Sequence, residues 1–531
     1  MRRLRSALAF TRAIAEIRPV RLAKLRAIVP LALWAWVIWH LRDEWTLNAQ
    51  YTYGWAVPFL AGFLFHLRWQ TRPLATPVPG ASRSAQVAVF ALLALLLPIR
   101  IVEEANPDWR LLSWTLAVIA VAVSLLTIVR VGGRGWLAHF AFPICFPLVA
   151  VPWLVQFETV LAHGLARPVA SVAVEVAGVL GIAAYQLGNV IQLANGFVGV
   201  DEACSGVKTL QAAIMVSLFL GELLRVSWPR RFVLLLIGCA WMFACNILRA
   251  TTLVVIAARN GIPALHQWHD LVGNAVLIVG LAGLGLAAFA LQPKHVRLAT
   301  AGPRASHASS LWEPAAALVW LALVFGGSEL WYRAHERQLF PRPIWEPHWP
   351  VGYAAYRPLS IDESTRAILR YNDASSATWE EPQSVRWWGF FSRWQPQRTA
   401  LQLVRSHSPD ICLPAIGRTF RGRWPNFQFE EGSLHLPFRS YEFVQQSQPL
   451  FVFVCIQDDK SSRPEPSTND FGEWSSRSRL RAAWNGQRNL GQRLLELAVV
   501  GLPDYKAARD AAEALIRQIL VTTASTGSRP E

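Results

Sequence analysis

Cys204, Arg249 and His269 are the residues of this 531-residue chain whose types and settings could do chemistry together. Cys204 stands in Asp201-Glu202-Ala203-Cys204-Ser205-Gly206-Val207-Lys208, where a polar approach turns into an apolar run. A thiol attacks a carbonyl only as thiolate, and a helix N-terminus with a cation nearby favours that anion. A buried structural cysteine fits the same local sequence equally well. Arg249 lies in Cys245-Asn246-Ile247-Leu248-Arg249, inside an otherwise apolar stretch. An arginine in a membrane span costs ~2.5–3.5 kcal/mol on insertion scales and is a functional hypothesis by default. Its task would be to bind a carboxylate or stabilise an oxyanion; the bland reading is a side chain snorkelling from a helix end. Asn246, three residues earlier, shares its helical face. His269, in His266-Gln267-Trp268-His269-Asp270-Leu271-Val272-Gly273, could hold or deliver a proton near neutral pH. It could also be an interfacial histidine without a task, or a metal ligand together with His266 and Asp270. No HExxH motif and no further ligand set at matching depth is present, so neither metal nor other cofactor is expected.

The elements that must bring these residues together are membrane helices. Hydrophobic residues make up 53% of the chain and charged ones 16%, against ~25% charged in soluble domains. Apolar segments fall at 27–40, 52–66, 85–101, 111–130, 137–157, 207–223, 232–257, 271–291 and 313–330. Several are shorter than the ~20 residues of a straight span. The expected fold is an all-α polytopic membrane bundle of about 8–10 transmembrane helices, followed by a soluble α+β domain. The domains are read as a basic cytoplasmic segment at 1–26, a membrane domain at 27–330 and an extracytoplasmic domain at 331–531. Met1 to Arg26 carries eight Lys and Arg, and no A-x-A site follows, so a cleaved signal peptide is not expected.

Loop charge sets the orientation. Alternate loops carry Arg68, Arg72 and Arg83; Arg130 and Arg134; Arg225, Arg230 and Arg231; and Lys294, Arg297 and Arg304. These should be inside, with the N-terminus. Residues 158–203, semi-apolar and broken by Glu175, Gly and Asn, are left outside as an amphipathic or re-entrant stretch; a tenth span would invert everything downstream. With this parity Cys204 falls at the outer start of one helix, Arg249 in the outer half of the next, and His269 at the outer start of the one after. The net charge of +16 follows from these loops, no nucleic-acid motif is present, and no nucleic-acid partner is expected. Trp34, Trp36, Trp39, Trp45 and Trp55 suit an interfacial belt. The six cysteines show no CxxC pair and no disulfide framework.

The order Cys, Arg, His on three successive outer helix ends resembles the exosortase/archaeosortase family of membrane transpeptidases. The residues that carry the resemblance are Gly188-Asn189, Ala203-Cys204-Ser205-Gly206, Asn246-x-x-Arg249 and His269 before Gly273, over roughly residues 28–291. It implies a sortase-like reaction at the outer face of the plasma (inner) membrane. The partners would be secreted proteins with a C-terminal Pro-Glu-Pro-type motif, a transmembrane helix and a basic tail. Carried onto this chain, Cys204 attacks the scissile carbonyl, Arg249 stabilises the oxyanion or orients the substrate, and His269 protonates the leaving amine, with Asn246, Ser205 and Gly206 in support. A lipid or glycan precursor would then resolve the acyl-enzyme. The chain's own Pro464-Glu465-Pro466 reads as a surface loop, since no transmembrane helix and basic tail follow it.

Beyond Leu330, Leu450-Phe451-Val452-Phe453-Val454 suggests a strand and Tyr505 to Leu520 an amphipathic helix. The segment Ser406-His407-Ser408-Pro409-Asp410-Ile411-Cys412-Leu413-Pro414 resembles the signature of the exosortase-associated accessory protein, a family linked to exopolysaccharide production. His407 and Cys412 there are a reactive pair, a metal-binding pair or part of a structural turn. Two other readings of the whole chain stand beside the transpeptidase: a polysaccharide-export transporter or scaffold with Arg249 binding an anion, and a membrane acyl- or glycosyltransferase.

Overall fold

The computed structural model describes residues 27–76, 79–199, 206–293 and 312–523, except 354, 362–364, 367–368, 397–408, 416–417, 446–447, 462–475 and 489. They form two units, one of residues 1–99 and 109–326, the other of 100–108 and 327–531.

The first unit is helical, with the C-terminal parts of α4 and α10 belonging to the second: α1 (Ile28–Leu47), α2 (Val57–Gln70), α3 (Pro79–Ala94), α4 (Leu96–Ala105), α5 (Arg110–Cys145), α6 (Val155–Val179), then strands β1 (Ala184–Leu187), β2 (Val190–Leu193) and β3 (Gly196–Gly199), and helices α7 (Val207–Leu223), α8 (Trp228–Asn260), α9 (Ile262–Leu291) and α10 (Trp312–Glu336). Among the described residues six helices are long and apolar enough to cross a membrane: 83–105, 110–150, 155–179, 228–260, 262–291 and 313–336. Large apolar side chains are exposed all over them, among them Val87, Phe232, Ile278 and Leu286. A water-soluble protein would bury such a surface, and a bilayer covers it. The chain is a multi-pass membrane protein.

One of these helices is really two legs. A straight helix of α5's 36 residues would hold its ends about 54 Å apart. Instead Arg110 donates to the Trp153 carbonyl at 2.8 Å and Trp114 to the Pro152 carbonyl at 2.9 Å, so the chain folds back. It turns at Gly133, which has φ 76° and ψ −168°. A Cβ there would sit on the Thr76 carbonyl oxygen, so only glycine fits this reversal. The segments read as separate from sequence, 111–130 and 137–157, are these two legs. The first leg packs along α1, where Trp34 bonds to Ser124 and His40 to Ser113.

Two sequence expectations change. The stretch expected at 158–203 to be amphipathic or re-entrant holds, over its described residues 158–199, most of α6 and an antiparallel three-stranded meander. By length and composition α6 could cross a membrane. Its small residues Ala166, Ala170, Ala173 and Ala177 pack on Ala250, Leu253, Val254 and Ala257, the C-terminal half of α8. The last apolar helix of the site also begins earlier than expected, at Ile262 rather than 271. The chain reverses at Gly261, with Pro263 in the first turn, and the polar run His266 to Asp270 already lies within the helix. A hydropathy reading misses polar opening turns because it follows side chains, whereas the helix starts where the backbone turns.

The second unit is α+β. The seven strands of its main sheet are β4 (Arg357–Pro358), β5 (Asp373–Glu381), β6 (Val385–Trp394), β7 (Thr419–Glu431), β8 (Leu434–Gln445), β9 (Gln448–Asp458) and β10 (Gln492–Val500), in the order β4-β5-β6-β10-β9-β8-β7, all antiparallel. Helices α11 (Pro409–Ala415), α12 (Ser476–Trp484) and α13 (Tyr505–Ile519) accompany it. Ala508, Ala512, Leu515, Ile516 and Ile519 of α13 press on Phe427, Phe429, Phe438 and Phe453. The helix starts at Asp504, whose carboxylate accepts from the Ala507 amide at 2.9 Å.

Candidate active site

The site is built where α7, α8 and α9 meet. Gly206 caps the start of α7 with φ 70°. It lies against Asn246 of α8: a Cβ at Gly206 would come within 3.1 Å of the Asn246 amide nitrogen. Asn246 is buried, and Arg249 follows one turn later, half-buried. From α9, His269 faces Arg249, with Arg249 Nη2 and His269 Nε2 2.9 Å apart. His269 Nδ1 is in turn 3.0 Å from Asp270 Oδ1.

These contacts set the protons. A guanidinium has only donors, so in this geometry His269 Nε2 accepts from Arg249. A neutral imidazole then carries its proton on Nδ1, directed at the Asp270 carboxylate. Arg249 reaches this position because Gly273 leaves room: a Cβ at Gly273 would lie 3.1–3.2 Å from three atoms of the guanidinium group. Among the described residues Arg249 Nε is buried without a partner and no carboxylate lies within ion-pair distance of Arg249. The site therefore holds a cation with spare donor capacity beside a base.

Of the residues singled out from sequence, the structure brings Asn246, Arg249, His269 and Gly206 to one end of the α7–α8–α9 bundle. Cys204 and Ser205 lie outside the described residues, two positions and one position before Gly206. His266 lies in α9, one turn before His269. His269 is not at the helix start, as expected, but two turns inside α9, which is how it faces α8. Gly188 and Asn189 form the two-residue turn between β1 and β2. Gly188 has φ 65°, and Asn189 is not among the residues with positive φ, as a type II′ hairpin turn requires. In the second unit Asp410, from the 406–414 motif, pairs with Arg423 at 2.6 Å. Leu413 packs under the sheet and Cys412 falls in α11, while His407 and Pro464-Glu465-Pro466 lie outside the described residues. Among the described residues no group of three His, Cys, Asp or Glu side chains is placed to hold a metal ion.

Sequence reasoning missed Asp270 as the partner of His269 Nδ1 and Gly273 as the floor beneath Arg249. The first was within reach, as an acid directly after the histidine; the second needed the helix packing.

Residues 45–286 match the profile of a family described as transmembrane exosortase. No curated protein and no solved structure matches the chain.

Proposed function

We propose, from the premise that the membrane domain of this chain belongs to the transmembrane exosortase family, that it is a cysteine transpeptidase acting on C-terminal sorting signals of secreted proteins. The observation that carries the reading is the Arg249–His269 hydrogen bond beside Asn246 and Gly206. Consecutive Cα atoms are 3.8 Å apart, so a residue two positions from Gly206 is tethered within about 7.6 Å of it.

In this reading the Cys204 thiol gives its proton to His269 and the thiolate attacks the scissile carbonyl carbon. Before that transfer the bound scissile carbonyl draws the Arg249 donors, which frees His269 Nε2 from its resting bond to take the proton, and the same donors then hold the oxyanion. The C–N bond breaks, His269 returns the proton to the leaving amine, and a thioester remains on Cys204. An amine or hydroxyl of a lipid or glycan precursor then attacks the thioester and restores the thiol. Asp270 holds the imidazole tautomer throughout. The reaction would run at the outer face of the plasma membrane. Arg68, Arg225, Arg230 and Arg231 gather at the other ends of these helices, which the positive-inside rule assigns to the cytoplasm. The C-terminal domain, by its 406–414 motif, would serve the same sorting system and its link to exopolysaccharide production.

The test is Cys204→Ala, co-expressed with a tagged protein that carries a sorting signal. Processing is expected to fall to background; unchanged processing sinks the nucleophile. An impermeant thiol reagent applied to intact cells should label Cys204, and protection until the membrane is opened would reverse the orientation.

A further inference from the structure

In the second unit, helix α12 reads Ser476-Arg477-Ser478-Arg479-Leu480-Arg481-Ala482-Ala483-Trp484. Its two faces differ sharply. Ala483 is buried with Ala105 and Tyr332, and Ala482, Ile101, Val102 and Trp331 close the same cluster. The Arg479 carbonyl accepts from Asn106 at 3.0 Å and the Ala483 carbonyl from Trp331 at 3.3 Å. On the opposite side Arg477, Leu480, Arg481 and Trp484, at the three- and four-residue spacing of one helical face, are all exposed. Trp484 is 74% exposed and Leu480 51%, and no acid interrupts the helix.

The residues that hold the buried face fix where the exposed face lies. Asn106 directly follows the apolar span 83–105, and Trp331 and Tyr332 stand in the last turns of the span 313–336. Leu330, beside them on α10, is 70% exposed. A helix bonded to the ends of two spans lies at the level where those spans leave the hydrocarbon. At that level a tryptophan and a leucine beside two arginines have a matching solvent: acyl chains for the apolar groups and lipid phosphates for the guanidinium groups.

We propose that the Arg477, Leu480, Arg481 and Trp484 face of α12 is a membrane-interface foot that seats the C-terminal domain on the headgroup layer of anionic phospholipid. The test replaces Leu480, and separately Trp484, with the photo-cross-linker p-benzoyl-phenylalanine in the full-length protein. The protein is reconstituted in vesicles of phosphatidylethanolamine and phosphatidylglycerol, illuminated, digested and examined by mass spectrometry. Val351, exposed on a loop of the same domain, is the aqueous control, and Leu323, exposed within the span 313–336, is the lipid control. Phospholipid adducts at 480, 484 and 323 but not at 351 are expected. An adduct at 323 with none at 480 and 484 overturns the proposal. A second arm carries Arg477→Glu with Arg481→Glu and should lower the adduct yield at 484; an unchanged yield removes the anionic headgroups from it. Neither arm depends on turnover, so both can fail while the transpeptidase reading stands.

Discussion

Two arginines on the same helix, α8, differ in what neutralises them. Arg231, near its start, meets Glu222 at 2.7 Å, and the same carboxylate, its side chain only 3% exposed, also holds Arg68 at 2.5 Å. Arg249, about five turns further along, has among the described residues no carboxylate partner; it leans on a histidine and keeps a buried Nε without a bond. Both sit in an apolar bundle where an unpaired charge is costly. The pair closed by Glu222 is complete and holds α2, α7 and α8 together. Among the described residues Arg249 keeps spare donors, and a developing negative charge beside it would take them up. Paired charge is architecture here, and the charge left unpaired among the described residues, beside a base, is where the proposed chemistry would lie.

Removing the carboxylate of the closed cluster should have the largest effect on stability. Glu222→Ala leaves two arginines facing one another and is expected to destabilise the membrane domain by roughly 3–5 kcal/mol, read as a lower unfolding midpoint in detergent. Activity per folded molecule should stay near normal; a selective loss of activity would erase the distinction between the two ends. Arg249→Ala should do the opposite. Processing of the sorting-signal substrate is expected to fall about 10²–10³-fold, with the midpoint hardly moved, and Arg249→Lys should rescue little because the planar donor fork is lost. A large fall in the midpoint would make Arg249 a second structural charge.

The sheet domain offers the same contrast with the sign reversed. Arg493, fully buried on β10, is held by Asp459. Glu496, three residues on, is pushed by burial alone from the ordinary 4.5 up to about 7. A carboxyl raised in the folded state binds more protons folded than unfolded, so it weakens the fold as pH rises from about 4.5 through 7. Glu496→Gln is therefore expected to stabilise the domain by about 1–3 kcal/mol at pH 8 and to change little at pH 4, as followed by thermal unfolding at both pH values. The smallest effect should come from Gly273→Ala, whose methyl presses on the Arg249 guanidinium. A roughly tenfold loss of processing, about 1.4 kcal/mol, with an unchanged midpoint would show that the arginine's placement matters as well as its charge.

Much of this was legible in residue order. Apolar runs located α7 to the residue, at 207–223, and located nearly every other helix, because burial in lipid demands long, uninterrupted apolar stretches. Asn246 and Arg249 stood out because polar groups in such a stretch need a reason. The start of α9 was misplaced, since a polar opening turn carries no hydropathy signal. The meander at 184–199 went unseen, since four-residue strands carry too little period to read. The closed Arg68–Glu222–Arg231 cluster was also missed: its arginines were read as loop charges, and its carboxylate lies 154 positions from Arg68.

Local composition and order settled that this is a membrane bundle with a sheet-rich domain after it, and singled out Arg249 and His269 as residues that need a partner. Packing alone settled that they are each other's partner through Nη2 and Nε2, that Asp270 takes the other ring nitrogen, and that Glu222 silences Arg231. Hydropathy and spacing are properties of one segment. A hydrogen bond between helices depends on the rotation and register of two segments at once, which the turn at Gly261 and the close approach at Gly273 set for this pair.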